Sequence, residues 1–328
     1  MNILITGIHG FVGSNLVNGL KTQHLIYGLD IIAPEKEGVV KTYSWAELRI
    51  IPAVDVVIHL AGKAHDTNNQ TNAQVYFDIN TVLTQKIYDW FLTSEAKKFI
   101  FFSSVKAAAD KVVGEILTEE IVPSPKGPYG ESKIKAEEYL LSHQSVDSSR
   151  EFLLPTGDYA LPTNHYPLKS TYILRPCMIH GPGNKGNLNL LYKVVKKGIP
   201  YPLGAFENRR SFCSIDNLSF VISGLIEKEI ASGIYNVGDD ESLSTNELIT
   251  LMATTMGKPA SIWKWNKALV QWVAKVGKVL HLQLNTERLQ KLTENYVVSN
   301  AKIKQALGVD RMPVRAEDGL RKTIDSFQ

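Results

Sequence analysis

The sequence predicts an α/β protein built on a doubly wound parallel sheet, with a smaller C-terminal lobe. Short β-rich apolar runs alternate with longer segments of helical apolar spacing through the first half of the chain. That order places helices on both faces of a parallel sheet. Its first run ends in a glycine-rich turn that leads straight into a helical segment. At 328 residues, the chain accommodates roughly two units of about 150 residues.

In chain order, the spacing predicts strands over 2–6, 24–30, 39–43, 54–60 and 98–103, with helices over 11–20, 72–93 and 132–141. After residue 145 the pattern loosens, and Pro155, Pro162 and Pro167 stand in a polar, aromatic stretch before a strand at 171–174. A connection this long is expected to be a flap near a site or a mobile excursion. Helices are predicted over 187–197, 216–226, 244–256, 300–307 and 316–326, with a strand at 233–237. These are expected to form the smaller lobe. The division is drawn at 1–169 and 170–328, with part of the later chain returning to the first domain.

Composition narrows the function classes. With 36 basic and 33 acidic side chains, the net charge of +3 is a small surplus spread along the chain, unlike the concentrated basic face of a nucleic-acid binder. Cys177 and Cys213 belong to no ligand-spaced cluster, so no disulfide framework and no metal site are expected. No apolar run reaches the roughly 18 residues of a membrane span, and the first strand begins at Asn2. The expectation is a cytoplasmic protein without a signal peptide. Trp265, Leu269, Trp272, Val273, Val276 and Leu280 fall on one helical face, with Lys264, Lys267, Lys275 and Lys278 largely off it. Such a helix can lie on a bilayer, but the expectation is packing against the lobe or a second subunit, without membrane contact.

The motifs carry the chemistry. Gly7, Gly10 and Gly13 span the first strand-to-helix junction, with Phe11 and Val12 between them. Glycines there let the backbone approach a pyrophosphate at the helix N-terminus. The predicted second strand ends at Asp30, followed by Ile31 and Ile32, with no Arg or Lys before Lys36. An acidic side chain accepts from both ribose hydroxyls and repels a 2′-phosphate, which favours NAD over NADP. The fourth strand runs through Leu60 into Ala61, Gly62 and Lys63, small residues that admit a cofactor against the strand end. Tyr129 and Lys133 lie four apart on a helix, so the ammonium can stabilise the phenolate and draw its pKa from about 10 towards neutrality. Ser104, at the end of the fifth strand beside Ser103, can bond the same substrate oxygen.

On these motifs the chain resembles the extended short-chain dehydrogenase/reductase family, the Rossmann-like nucleotide-sugar epimerases, reductases and dehydratases. The resemblance covers nearly the whole chain and includes the family's spacing of serine and tyrosine, here 25 residues from Ser104 to Tyr129. It implies Ser104, Tyr129 and Lys133 as catalytic residues and NAD as cofactor, with Ser103 and Asn80 beside it. It also implies a nucleotide-diphosphate sugar, UDP-linked, held by Asn187, Leu188, Pro202, Leu203 and Arg210, and a homodimer. The chain departs from the pattern in four places, one of them Met178, where the family has an asparagine two residues before the turn. Dehydratases of the family place Asp-Glu where this chain has Val105 and Lys106, which argues against dehydration. The turn tyrosine is His180, and Ser44-Trp45 replaces an acidic-apolar pair. Similarity to a surface-polysaccharide branch of the family leaves two reactions open: a 4-epimerase working through a 4-keto intermediate, and a reductase of a UDP-4-keto-6-deoxy-N-acetylhexosamine. A non-catalytic dinucleotide-binding sensor is the reading from a different class.

Overall fold

The computed structural model describes residues 1–63, 72–150, 169–184, 186–279 and 286–327. It opens with β1 (Asn2–Thr6), α1 (Phe11–Leu20), β2 (Leu25–Asp30), β3 (Lys41–Ser44), a 3-10 turn (Trp45–Ile50) and β4 (Val56–His59). Next come α2 (Ala73–Phe77), a π-helical turn (Asp78–Val82), α3 (Leu83–Thr93), β5 (Lys98–Phe102), α4 (Val105–Ala108) and α5 (Pro128–Arg150). Then follow β6 (Ser170–Pro176), β7 (Met178–His180), α6 (Asn187–Lys196), β8 (Arg210–Ser214), α7 (Ile215–Glu227), β9 (Gly233–Val237) and β10 (Ser242–Leu243). The chain closes with α8 (Thr245–Thr255), α9 (Lys267–Val279), α10 (Thr286–Thr293), α11 (Ala301–Leu307) and α12 (Ala316–Asp325).

Seven strands form one parallel sheet in the order β3-β2-β1-β4-β5-β6-β9. Both faces are covered, so β4 and β5 are buried along their whole length, as continuous apolar strands of a parallel sheet must be. Successive side chains of β1 serve opposite cores. Ile3 and Ile5 pack with Leu16, Leu218 and Ile222 on one face, and Leu4 packs with Ile87, Phe91 and Ala136 on the other. The C-terminal ends of β1, β4 and β5 therefore open onto one rim, where ligands of such sheets bind.

The lobe is smaller than the sequence spacing suggests. Strand β9 joins the main sheet beside β6, and α7 and α11 pack their apolar faces against that sheet. Segments 216–226, 233–237 and 300–307, expected in the lobe, thus belong to the main domain, because their apolar residues complete its core. What remains centres on α6, α8 and α12, which share a core of Leu188, Tyr192, Met252 and Leu320. A second sheet, β10-β8-β7, lies beside it. Helix α5 continues through 145–150, where a loop is expected; the rest of that excursion, 151–168, lies outside the described residues.

Of the two packings expected for the tryptophan stripe, the one against the lobe is not found. Val270 and Ala274, not the predicted face, pack inward with Leu203 and Leu289, while Trp265, Leu269, Trp272 and Val273 are exposed. Leu280 and the Val276 side chain lie outside the described residues. Cys177 and Cys213 are free and buried.

Candidate active site

The first rim element is the β1–α1 turn. Gly7 holds φ +68°, and a Cβ on Gly13 would stand 2.6 Å from the Gly7 carbonyl oxygen and 2.8 Å from Ile8 Cα. Only glycine lets these backbones approach so closely. Gly10 caps α1 without a side-chain hydrogen bond, and no acid occupies the first turn. The helix N-terminus thus keeps its electropositive N–H groups for an anion. Asp30 fixes the edge of this cradle, its Oδ2 accepting from His9 N at 3.0 Å and its Oδ1 from Ile31 N at 2.8 Å. The Gly181–Gly183 turn closes against it, since Asn15 Nδ2 donates both to Phe11 O at 2.8 Å and to Pro182 O at 3.2 Å.

Next along the rim is the end of β4. Asn80 lies in the π-helical turn, a distortion frequent at functional sites, and is fully buried. Its Oδ1 accepts from Lys63 N at 2.8 Å, and its Nδ2 donates to Lys63 O at 3.2 Å and Ser132 Oγ at 3.0 Å. One amide therefore ties the loop after β4 to α5. A Cβ on Gly62 would lie 3.1 Å from Asn80 Oδ1 and 3.2 Å from Lys133 Nζ, so the missing side chain leaves the strand end open beside Lys133.

Ser104 caps α4, its Oγ accepting from Lys106 N at 3.2 Å. It also hydrogen-bonds the Tyr129 phenol, which stands in the first turn of α5. Tyr76 meets Tyr129 edge-on, with ring centroids 6.3 Å apart. One turn along α5, Lys133 is buried over the Phe101 ring and donates to Phe102 O at 2.8 Å. Burial brings its ammonium down to about 8, with Glu137 pulling the other way. The structure thus brings Ser104, Tyr129 and Lys133 to one rim. It corrects the expected direction for the phenol: burial pushes Tyr129 above the ordinary tyrosine value, and the Ser104 bond only partly offsets this.

Facing this rim is a charged cluster that reaches across to the lobe. Arg210 begins β8 and is half-buried; burial lowers its pKa, while Glu294 and Tyr201 favour its charge. Lys106 Nζ lies 4.3 Å above the Tyr296 ring and donates to Asp110 O at 2.7 Å. Burial lowers its pKa too, against Asp110 and Glu294, and the like charge of Arg210 adds to the shift. Two cations from two parts of the chain therefore share one crevice.

Comparison with known proteins agrees with this geometry. Residues 3–238 match the family described as the NAD dependent epimerase/dehydratase family. The chain belongs to that family. A UDP-glucose 4-epimerase of Vibrio cholerae is 29% identical, covering 99% of this chain and 95% of its own length. An N-acetyl-alpha-D-glucosaminyl-diphospho-ditrans,octacis-undecaprenol 4-epimerase of Escherichia coli O157:H7 is 28% identical, over 78% of this chain and 73% of that protein. The fold is that of the UDP-glucose 4-epimerase of Thermus thermophilus in complex with NAD, with a TM-score of 0.72, 22% identity, and coverage of 100% of this chain and 99% of that one.

Within the family frame, other residues separate into those at the crevice and those away from it. Leu188 and Leu203 are buried in the lobe, their side chains part of its core, and the Leu203 carbonyl already accepts from Phe206 N at 2.9 Å. Pro202 is half-buried beside them, and the Asn187 side chain lies outside the described residues. His180 is fully buried, with Nδ1 2.9 Å from Thr323 Oγ1 and Nε2 3.4 Å from Asp239 Oδ2. It joins α12 to the second sheet. Ser103 faces inward to Glu137. Tyr76, Glu294 and Tyr296 escape the sequence reading because only tertiary packing brings them to the site.

Proposed function

We propose that the chain is an NAD-dependent 4-epimerase of a nucleotide-diphosphate sugar, a UDP-hexose or UDP-N-acetylhexosamine, in surface-polysaccharide precursor synthesis. The convergence of Ser104, Tyr129 and Lys133 beside the open strand end at Gly62 carries this reading. The V. cholerae relative, aligned over 99% of the chain, supports the reaction. The glycine cradle and the uncapped α1 N-terminus fit a dinucleotide pyrophosphate, and Asp30 fits an unphosphorylated ribose. A homodimer in the cytoplasm is the setting inferred.

A bound NAD would supply the hydride acceptor and donor for C4, and inversion requires the 4-keto sugar to turn over so that the hydride returns to its other face. In its phenolate form Tyr129 takes the proton of the 4-hydroxyl as that carbon is oxidised, and the phenol so formed gives it back to the 4-keto oxygen. Ser104 bonds the same oxygen and fixes its distance from the phenol. Lys133, charged below about pH 8, favours the phenolate. Arg210 and Lys106 hold the anionic side of the substrate, a role suited to cations desolvated in a crevice. With Val105 and Lys106 following Ser104, no carboxylic acid stands there to expel a hydroxyl, so we infer epimerisation and not dehydration.

The second reading is a 4-keto reductase, favoured by a phenol that burial keeps protonated and hence ready to donate. Both readings are tested on protein purified without added cofactor. Any released dinucleotide is identified, and fresh enzyme is incubated with UDP-GlcNAc, UDP-Glc, their 4-epimers and N-acetylglucosaminyl-diphospho-undecaprenol. Interconversion of a nucleotide-sugar pair without net cofactor use is expected. Consumption of NAD(P)H on a UDP-4-keto-6-deoxy sugar alone makes it a reductase, and turnover of the lipid-linked sugar alone overturns the nucleotide. Tyr129→Phe is expected to lower turnover by roughly 10²–10⁴-fold with dinucleotide retained; wild-type turnover would discard the mechanism.

A further inference from the structure

We propose that α9, the strand-like segment before it and the adjoining face of α6 form a docking surface for an anionic lipid bilayer. This goes beyond the enzymatic reading and does not rest on it.

Helix α9 has two apolar faces. Val270 and Ala274 fill the lobe, while Leu269 is 53% exposed and Trp272 62%. Just upstream, Trp263 and Trp265 are about half-exposed, their rings stacked at 6.4 Å with 26° between planes. Hydrogen bonds tie this segment to 201–204: Trp263 N donates to Tyr201 O at 2.8 Å, and Gly204 N to Trp263 O at 3.0 Å. On its other side, Lys258 Nζ donates to Lys196 O at 3.1 Å, which brings α6 alongside with Leu190 and Val194 exposed. The apolar strip therefore runs from one helix to the other. A water-exposed face with three tryptophans is not a finished surface.

Charge complementarity selects the occupant. Between Glu247 and Glu287 no acidic residue occurs, while Lys258, Lys264, Lys267, Lys275 and Lys278 do. Segment 187–206 likewise holds Lys193, Lys196 and Lys197 and no acid; Glu207 follows at its edge. Outside these two segments the chain carries 28 basic and 33 acidic side chains, so the small overall basic surplus is gathered into the two segments that carry the strip. Tryptophan rings and aliphatic side chains enter the headgroup boundary, while lysines extend to lipid phosphates. A second copy fits worse. A two-fold interface sets a patch against itself, and here lysines would meet lysines without acids to answer them. Among the described residues no helix is long and apolar enough to cross a membrane, so the contact is peripheral.

The test uses the full chain in sedimentation with vesicles of phosphatidylcholine, with or without phosphatidylglycerol, at low and high salt. Binding to the anionic vesicles at low salt and release at high salt are expected. Leu269→Gln with Trp272→Gln, and separately Lys264→Glu with Lys275→Glu, should each weaken binding roughly tenfold or more while thermal unfolding stays as in wild type. Wild-type protein that remains in the supernatant overturns the proposal, as does equal binding by both variants. So does a loss of dimer in sedimentation velocity without any vesicle binding, which would make the face an interface between copies.

Discussion

His59 shows how much one side chain at the rim depends on its neighbours. Its Nδ1 lies 2.7 Å from Thr6 Oγ1 and its Nε2 2.9 Å from Thr84 Oγ1. Thr84 gives its own proton to Asn80 O, and Thr6 accepts from Ala61 N. The neutral tautomer with hydrogen on Nε2 satisfies every partner. Burial, with the nearby Lys133 charge, brings the imidazole down to about 3. A depressed histidine leaves stability whole above its unfolded value of about 6.5 and removes it as pH falls towards the folded value. At about 1.4 kcal/mol per unit, the loss approaches the order of 5 kcal/mol. Urea midpoints should fall steadily below about pH 6, and the ring signals should not titrate between about pH 5 and pH 8; a midpoint near 6.5 would refute this. These bonds make His59 structural, and its place in the sequence does not announce them. The threonines on either side, 53 and 25 residues away, were not legible from it.

Two helices end on the same device. Lys98, buried inside β5, donates to the carbonyls of Leu225, Ile226 and Lys228 at the end of α7. Lys169 does likewise for Phe91, Ser94 and Ala96 at the end of α3. An ammonium there satisfies carbonyls that have no partner within the helix and meets the negative end of its dipole. Lys98→Met keeps the length but strands those carbonyls, and should cost about 1–3 kcal/mol by urea unfolding; a change under about 0.5 kcal/mol would deny the lysine its capping role. A lysine in an apolar run carries no sign of such a partner, because the end of α7 is 127 residues away in sequence. For a related reason the helix predicted over 72–93 hides its π-helical turn at Asn80: apolar periodicity survives one inserted residue. The short β7, β8 and β10 stay hidden too, since two to five residues leave no period to count.

Across the molecule, Glu137 joins α5 to β5 and β6. Its carboxylate accepts from Arg175 Nε at 3.0 and 3.1 Å and from Nη2 at 2.5 Å, and Ser103 Oγ donates to it as well. Both charges are buried, so removing one leaves the other without compensation. Glu137→Gln should cost about 3–5 kcal/mol and lower the thermal midpoint accordingly; the double replacement Glu137→Met with Arg175→Met should recover much of it, and failure to do so would assign the loss to packing. At this scale the parallel sheet is readable because its buried strands are predominantly apolar, and the glycine cradle because only glycine permits its contacts. A return of later chain to the first domain was expected, but that β9, α7 and α11 make it was not legible, since an apolar face does not name the surface it will cover. The two buried thiols bear on how the protein can be watched. Desolvation raises both Cys177 and Cys213 far above the ordinary thiol value, so thiolate is scarce at neutral pH and maleimide reagents pass the native fold by. A single cysteine introduced on the solvent face of α9 then becomes the reactive handle of the folded chain, and a dye placed there reports its surroundings with the native thiols left silent.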